Sequence, residues 1–283
     1  MRECGVNRRT EEKGFCGCSA EMHISRIAPH MWEEPIISGS HGSGAVFFSG
    51  CSLGCVFCQN REISRGEVGI SLTPAELAAR LIELKSTGVH NINFVTPTHY
   101  APSVVKTVKI ARSLGLDLPV VYNTGTYETV KTVKMLSGTV DVYLPDLKYY
   151  LPRTAKKYST ATDYPKSART AIEEMVRQKG RAVIENGLIK RGVVVRILLL
   201  PSHLAEAKLS LKYLYSTYGD DIYVSLMNQY TPLGNMEKPL DRAVTRGEYR
   251  ELCDYAVSLG IKNAFVQDFG TANDGYIPDF DLK

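Results

Sequence analysis

No stretch of this 283-residue chain is long and apolar enough to suggest a bilayer span. The strongest apolar run, Gly192–Pro201, is short and holds Arg196 within it. The opening MRECGVNRRTEEKG is charged and has no apolar centre, so it does not read as a secretory signal. A soluble, cytoplasmic protein with no membrane partner is expected. Charge of one sign is lacking too: the formal net charge is +4 and is spread along the chain. Without a basic arm or an aromatic-rich basic surface, no nucleic-acid partner is expected. Repeats, low-complexity segments and a Pro/Gly-rich linker are also absent, so nothing marks a tether between domains. Seven cysteines, an odd number and clustered, argue against a secreted disulfide framework and for metal ligation in a reducing compartment.

What the chain does have is a rhythm. Short apolar runs predict strands at 45–49, 91–96, 119–123, 140–145, 193–199, 222–227 and 263–267. Between them, helix-period stretches are expected at 73–87, 101–114, 128–136, 166–179, 203–217 and 245–259, several ending at glycine. Thr73, Pro74 and Glu76 mark one helix start clearly. The gap from Pro145 to Gly192 is expected to be helical with an inserted loop. Near-continuous apolar strands alternating with helices indicate an α/β fold with a parallel sheet covered on its faces. We expect a partial (β/α)6 TIM-like barrel over residues 41–283, with an irregular N-terminal extension over 1–40; a doubly wound open sheet is the alternative. Polar residues follow each strand: Cys51, then Thr96–Tyr100, Asn123–Glu128, Asp146 with Lys148, His203, and Asn228–Gly234. In a parallel barrel these strand ends share one face, and that face carries the chemistry.

The sharpest local signal is FFSGCSLGCVFCQN, which places Cys51, Cys55 and Cys58 on one loop in a C-x-x-x-C-x-x-C spacing. Structural zinc usually takes four protein ligands, commonly as paired C-x-x-C elements, and no fourth thiol follows here. Thiolates also suit iron–sulfur clusters. Three of them on a four-iron cluster would leave one iron open to a small molecule. Zinc and unliganded buried thiols are the other readings of the same three residues.

The motif, with Phe57 just ahead of its last cysteine, resembles the radical S-adenosylmethionine superfamily. The resemblance implies that Cys51, Cys55 and Cys58 hold a 4Fe-4S cluster whose fourth iron is chelated by S-adenosylmethionine. Reductive cleavage would then yield a 5′-deoxyadenosyl radical that abstracts hydrogen. WEEPIISGSHGSGAVFFSGC, NFVTPTHY, DVYLPDLKY, VVVRILLLPSH and SLMNQYTPLG extend the likeness to relatives of the pyruvate formate-lyase activating enzyme. By that likeness Asp146 and Lys148 lie near the bound S-adenosylmethionine, Asn123 and Thr124 match an Asp-Thr pair, and Arg196 matches an arginine near the nucleoside. Thr231 stands where the family has a histidine, and Phe57 and Asn60 are expected at the cofactor from within the loop. Two departures stand out. Thr96 and Thr98 replace a Gly-Gly-Glu element that receives the methionyl amine, and Ala45-Val46 follows Gly42-Ser43-Gly44 where glycyl-radical activators carry arginine.

The expected function is therefore an oxygen-sensitive oxidoreductase that takes electrons from a flavodoxin or ferredoxin. Its target is a glycyl radical enzyme, or else a peptide or small metabolite. A non-catalytic metal-binding or electron-transfer protein is the reading from another class, which metal analysis would separate. Cys4, Cys16 and Cys18, with His23, form a possible second metal set or simply a loop of thiols. Cys253 reads as a packed small apolar residue. His99 and His203, just past strand ends, are candidates for a substrate-side acid or base, and His203 equally for a helix cap. His30, Trp32, Glu33 and Glu34 form a polar-aromatic knot that would fix the extension to the barrel.

Overall fold

A computed structural model describes residues 2–66, 68–268, 280 and 282. Its strands are β1 (Met22–His30), β2 (Ser43–Phe48), β3 (Ile70–Leu72), β4 (Ile92–Val95), β5 (Val120–Thr124), β6 (Val142–Pro145), β7 (Val183–Glu185), β8 (Leu188–Leu198), β9 (Tyr223–Met227) and β10 (Ala264–Val266). The helices are α1 (Pro35–Ser38), α2 (Arg61–Ser64), α3 (Pro74–Ser86), α4 (Ala101–Ser113), α5 (Val130–Met135), α6 (Pro152–Ser159), α7 (Tyr164–Lys179), α8 (Leu204–Tyr218) and α9 (Arg246–Ser258). Each expected strand is present. Thr73 caps α3 through a full capping box with Glu76, and Thr245 does the same for α9 with Glu248.

The sheet order is β10-β9-β8-β6-β5-β4-β2-β1-β3. From β2 to β10 every neighbour pair on this path is parallel. Helices cover the outer face, as right-handed crossovers require. Among the described residues β10 and β3 end the path unpaired with each other, so the barrel is partial. No helix among the described residues is long and apolar enough to cross a membrane.

The extension is not irregular throughout. The described residues before Met22 contain only a single-turn 3-10 helix at Arg8–Thr10, but Met22–His30 is a strand, antiparallel to β2 along most of its length. Pro29 disguised it in the sequence. It sits beyond the stretch where β3 pairs with β1, so its missing N–H leaves no ladder bond unmade. The long gap before Gly192 holds α6, α7 and β7, which pairs antiparallel with β8.

Alternation along the strands sets which side chains face the barrel interior. One register row runs Phe47–Val95–Asn123–Leu144, and Asp146 bridges to Arg196 one layer further. Below them, α1 inserts Ile37 among Val121, Val142, Leu144, Ile189 and Val194. This apolar plug seals the end of the barrel opposite the chemistry. Ile37→Ala is expected to cost roughly 2–5 kcal/mol, since the ring of strands around it cannot collapse inward. Urea unfolding would measure it; a loss under about 1 kcal/mol would show that α1 is a peripheral turn.

Candidate active site

A cavity of about 320 Å³ opens at the C-terminal ends of the parallel strands. His30, Trp32, Glu33 and Glu34 of the polar-aromatic knot line it, and so do ten of the thirteen residues expected at the cluster or cofactor: Cys51, Cys55, Phe57, Cys58, Asn60, Thr96, Asn123, Asp146, Lys148 and Arg196. Residues scattered along the chain thus meet in one place because each follows or ends a parallel strand.

The cysteine loop leaves β2 through Gly50, held at φ 81°. A Cβ there would overlap Cys18 Sγ and lie 2.7 Å from the Cys16 carbonyl oxygen, so only glycine fits. The loop is tied at several points. Val56 N–H donates to Tyr158 O at 2.9 Å, and Arg65 Nη2 donates to Gly54 O at 3.0 Å. The Arg2 guanidinium joins the carbonyls of Ser52 and Leu53 to those of Ser159 and Thr160. Burial pushes the Cys51 thiol up, with Cys55 adding to it. Burial, then Cys55 and Cys51, push Cys58 up to about 11. The thiols of Cys51 and Cys58 would therefore ionise readily only beside a positive centre.

Beyond β6, Asp146 Oδ2 sits 2.6 Å from Lys148 Nζ. Burial opposes the lysine charge, but Asp146, with Cys55 and Tyr164 nearby, outweighs it and raises the pKa. Tyr164 pins this turn: its hydroxyl accepts from Lys148 N–H at 3.0 Å and donates to Asp146 O at 2.8 Å. Thr96 is held at φ 60°, a conformation that β-branched residues avoid. Such outliers gather at functional sites.

The cavity floor comes from the segment before α1. Arg196 Nε donates to Glu34 Oε1 at 2.8 Å and Nη2 to Glu34 Oε2 at 2.7 Å, while Nη2 also meets Glu33 Oε2. Glu33 Oε1 accepts from Asn93 Nδ2 at 2.7 Å and Asn123 Nδ2 at 3.2 Å. Burial disfavours the Glu34 carboxylate, yet Arg196 prevails and holds its pKa below the usual value. Burial keeps His30, which also lines the cavity, below its ordinary pKa despite Glu33.

Three expected cofactor residues do not reach the cavity. Asn123 points inward, so Thr124 points to the helix layer, where its hydroxyl donates to Glu128 Oε1 at 2.5 Å. Thr98, in the turn after β4, donates to the same carboxylate at 2.9 Å. Thr231 Oγ1 is buried without a partner. Neither histidine candidate lines the cavity. His99 Nε2 donates to Ser49 O at 2.7 Å, and burial lowers its pKa to about 4. His203 donates from Nδ1 to Pro201 O at 2.7 Å and does not cap α8 with its side chain. Cys253 packs half-buried against the core. In the extension, Cys4 is exposed while Cys16 and Cys18 are buried, and a hydrogen bond from Cys18 lowers Cys16 to about 6.

Sequence reasoning passed over an amide row at the rim. Gln59 Nε2 donates to Gln229 O and Gln267 Nε2 to Gln229 Oε1, each at 2.8 Å. The position of Gln229 and Gln267 just past β9 and β10 was the available signal.

Residues 45–211 match the profile of the Radical SAM superfamily. An uncharacterized protein of Methanocaldococcus jannaschii is 32% identical over 238 residues, which is 81% of this chain and 64% of that protein. The chain therefore spans somewhat under two thirds of that relative's length. Among solved structures, a radical SAM methyltransferase from Sphaerobacter thermophilus superposes with a TM-score of 0.55 at 17% identity, covering 82% of this chain and 70% of that one. SuiB of Streptococcus suis, bound to S-adenosylmethionine, gives 0.53 at 12% identity over 78% of this chain and 49% of that one. At these identities the likeness is one of fold.

The floor generates a pH prediction. With Arg196 present, the folded pKa of Glu34 is depressed, so the pair's contribution is full above the ordinary carboxylate pKa and is lost only as pH falls below it through the lowered folded pKa. Arg196→Met reverses the sign, because two adjacent buried carboxylates then have raised pKa values. This variant is expected to lose about 3–5 kcal/mol at pH 7 and to recover part of it on acidification toward about pH 5. Urea unfolding at stepped pH would show it; a loss independent of pH would mean that the carboxylates are not stabilised by Arg196.

Proposed function

Because this chain belongs to the radical S-adenosylmethionine superfamily, we propose that it generates a radical at this cavity and uses it to abstract hydrogen from a polypeptide. The superfamily's cofactors are a 4Fe-4S cluster and S-adenosylmethionine. The donor set fits the cluster: three thiols on one clamped loop, with those of Cys51 and Cys58 pushed up by burial and by their neighbours, call for a soft cationic partner. Among the described residues no three His, Cys, Asp or Glu side chains are placed to share a single metal ion. A cluster would need three separate thiol donors and no such convergence. In this reading Cys51, Cys55 and Cys58 are its ligands.

Asp146, Lys148, Asn123 and Thr96 would seat S-adenosylmethionine, with Phe57 and Asn60 beside them and Arg196 supporting the floor. When bound, cluster and S-adenosylmethionine supply an electron and a carbon-centred radical. The protein's part is to orient and to exclude water. The Lys148 ammonium, held charged by Asp146, offers a donor to a carboxylate while Asp146 receives an amine. Phe57, Leu198 and Met227 wall the cavity with apolar surface.

The observation that favours a polypeptide is size. A volume of about 320 Å³ lies at the low end for a small-ligand pocket. It would have to hold the cluster and S-adenosylmethionine together, so a reacting group would project in from a larger body outside. This agrees with the resemblance to activating enzymes, and a flavodoxin or ferredoxin is the proposed reductant.

Anaerobic reconstitution with iron and sulfide, then dithionite and S-adenosylmethionine, is expected to give cluster absorbance and 5′-deoxyadenosine by chromatography. Alanine at Cys51, Cys55 or Cys58 should abolish both, and Asp146→Asn should raise the S-adenosylmethionine requirement about tenfold or more. Bound zinc without iron, or iron-loaded protein that yields no 5′-deoxyadenosine, would defeat the proposal. A glycyl radical seen by electron paramagnetic resonance on added pyruvate formate-lyase would narrow the substrate to a glycyl radical enzyme.

A further inference from the structure

Behind the cysteine loop, on the side away from the cavity, Ser159 Oγ donates to Cys55 Sγ at 3.2 Å. The same oxygen lies 2.7 Å from the phenol oxygen of Tyr149. A serine hydroxyl has one proton, and here it is committed to sulfur, so Tyr149 must be the donor in the second bond. The result is a directed chain, Tyr149 O–H to Ser159 O–H to Cys55 S.

This chain is held in place. Ser159 is the last residue of α6, and both it and Tyr149 are buried, at 1% and 0% exposure. The ring of Tyr149 stands edge-on to Phe57 and to Tyr164, at 6.3 and 5.3 Å between centroids. The neighbouring Tyr158 carbonyl takes the Val56 N–H, and Arg2 binds the carbonyls of both Ser159 and Leu53. The donor therefore keeps its position relative to the sulfur, with water excluded. In such surroundings hydrogen bonds polarise one another and count for more than in water.

We infer that Ser159 and Tyr149 form a two-hydroxyl relay that raises the reduction potential of the cluster held through Cys55. Neither touches the cavity, so both are tuning residues. The inference rests on the assignment of Cys55 as a cluster ligand. A hydrogen bond to a ligating sulfur withdraws electron density from it and favours the reduced cluster, because the added electron makes the sulfur a better acceptor. Ser159 donates to the sulfur directly; Tyr149 acts through Ser159 and also stands within reach of Cys55 itself.

The test is a redox titration of reconstituted protein, followed by the electron paramagnetic resonance signal of the reduced cluster. At a fixed applied potential near the wild-type midpoint, Ser159→Ala is expected to lower the ratio of reduced to oxidised cluster by roughly tenfold, as for one lost hydrogen bond to a charged acceptor. Tyr149→Phe should shift the ratio in the same direction by less. The double variant should fall short of the sum of the two single shifts, since part of the Tyr149 effect passes through Ser159. Ser159→Thr, which keeps the hydroxyl, should restore most of the wild-type ratio.

An unchanged ratio in Ser159→Ala, with iron and sulfide content intact, would overturn the inference. So would a Tyr149→Phe shift that persists at full size in the Ser159→Ala background. Should Ser159→Ala fail to retain a cluster, Tyr149→Phe alone decides, because Ser159 remains in place there and no shift would refute the relay. Failure of the wild type to bind a cluster would instead defeat the ligand assignment, which separates the two results.

Discussion

A guanidinium inside a parallel barrel is the constraint around which this site is built. Arg196 sits on β8 among apolar residues, and an unpaired charge there would cost far more than the strand gains by burial. Its partners are not on a neighbouring strand. Glu33 and Glu34 arrive from the segment that precedes the first parallel strand, and both carboxylates close on the one cation. That ion cluster draws α1 into the barrel, where Ile37 fills the lower layer. It also positions Asn93 and Asn123 through Glu33, so the polar floor of the cavity and the apolar plug beneath it form together.

The parallel core was legible because buried β-α units repeat a simple pattern of apolar run, polar strand end and capped helix. The cysteine loop was legible because three thiols at that spacing have few uses. Other parts were hidden for identifiable reasons. β1 carries a proline and alternates imperfectly, yet it pairs along β2 because its outer edge is free at Pro29. Thr124 and Thr98 looked as suitable as Asn123 and Thr96, but alternation turns Thr124 outward, and the left-handed backbone at Thr96 redirects the turn that carries Thr98. Both threonines satisfy the buried Glu128 instead. Counting strand parity from Asn123 would have separated it from Thr124. The amide row of Gln59, Gln229 and Gln267 depends on loops whose course no periodicity encodes.

The site also shows a division of labour between its two faces. Toward the cavity, the loop presents its thiols beside the Asp146–Lys148 pair. Toward the helix layer, it is gripped by Arg2, Arg65, Tyr158 and Ser159. A loop with little regular structure of its own is thus as fixed as a strand, as any group that must keep its place beside a cavity has to be.

The cysteine loop reaches far along the chain for its partners. Ser159 lies 104 residues beyond Cys55, and Gln229 lies 170 beyond Gln59. Closing loops of that length is slow compared with forming the local β-α units. During folding, then, three thiols wait uncovered while the strands that will bury them are still being assembled. In that interval they are accessible to iron, to stray metals and to oxidants alike. The order of assembly, and not only the finished cavity, thereby sets when these thiols are open to capture by a metal.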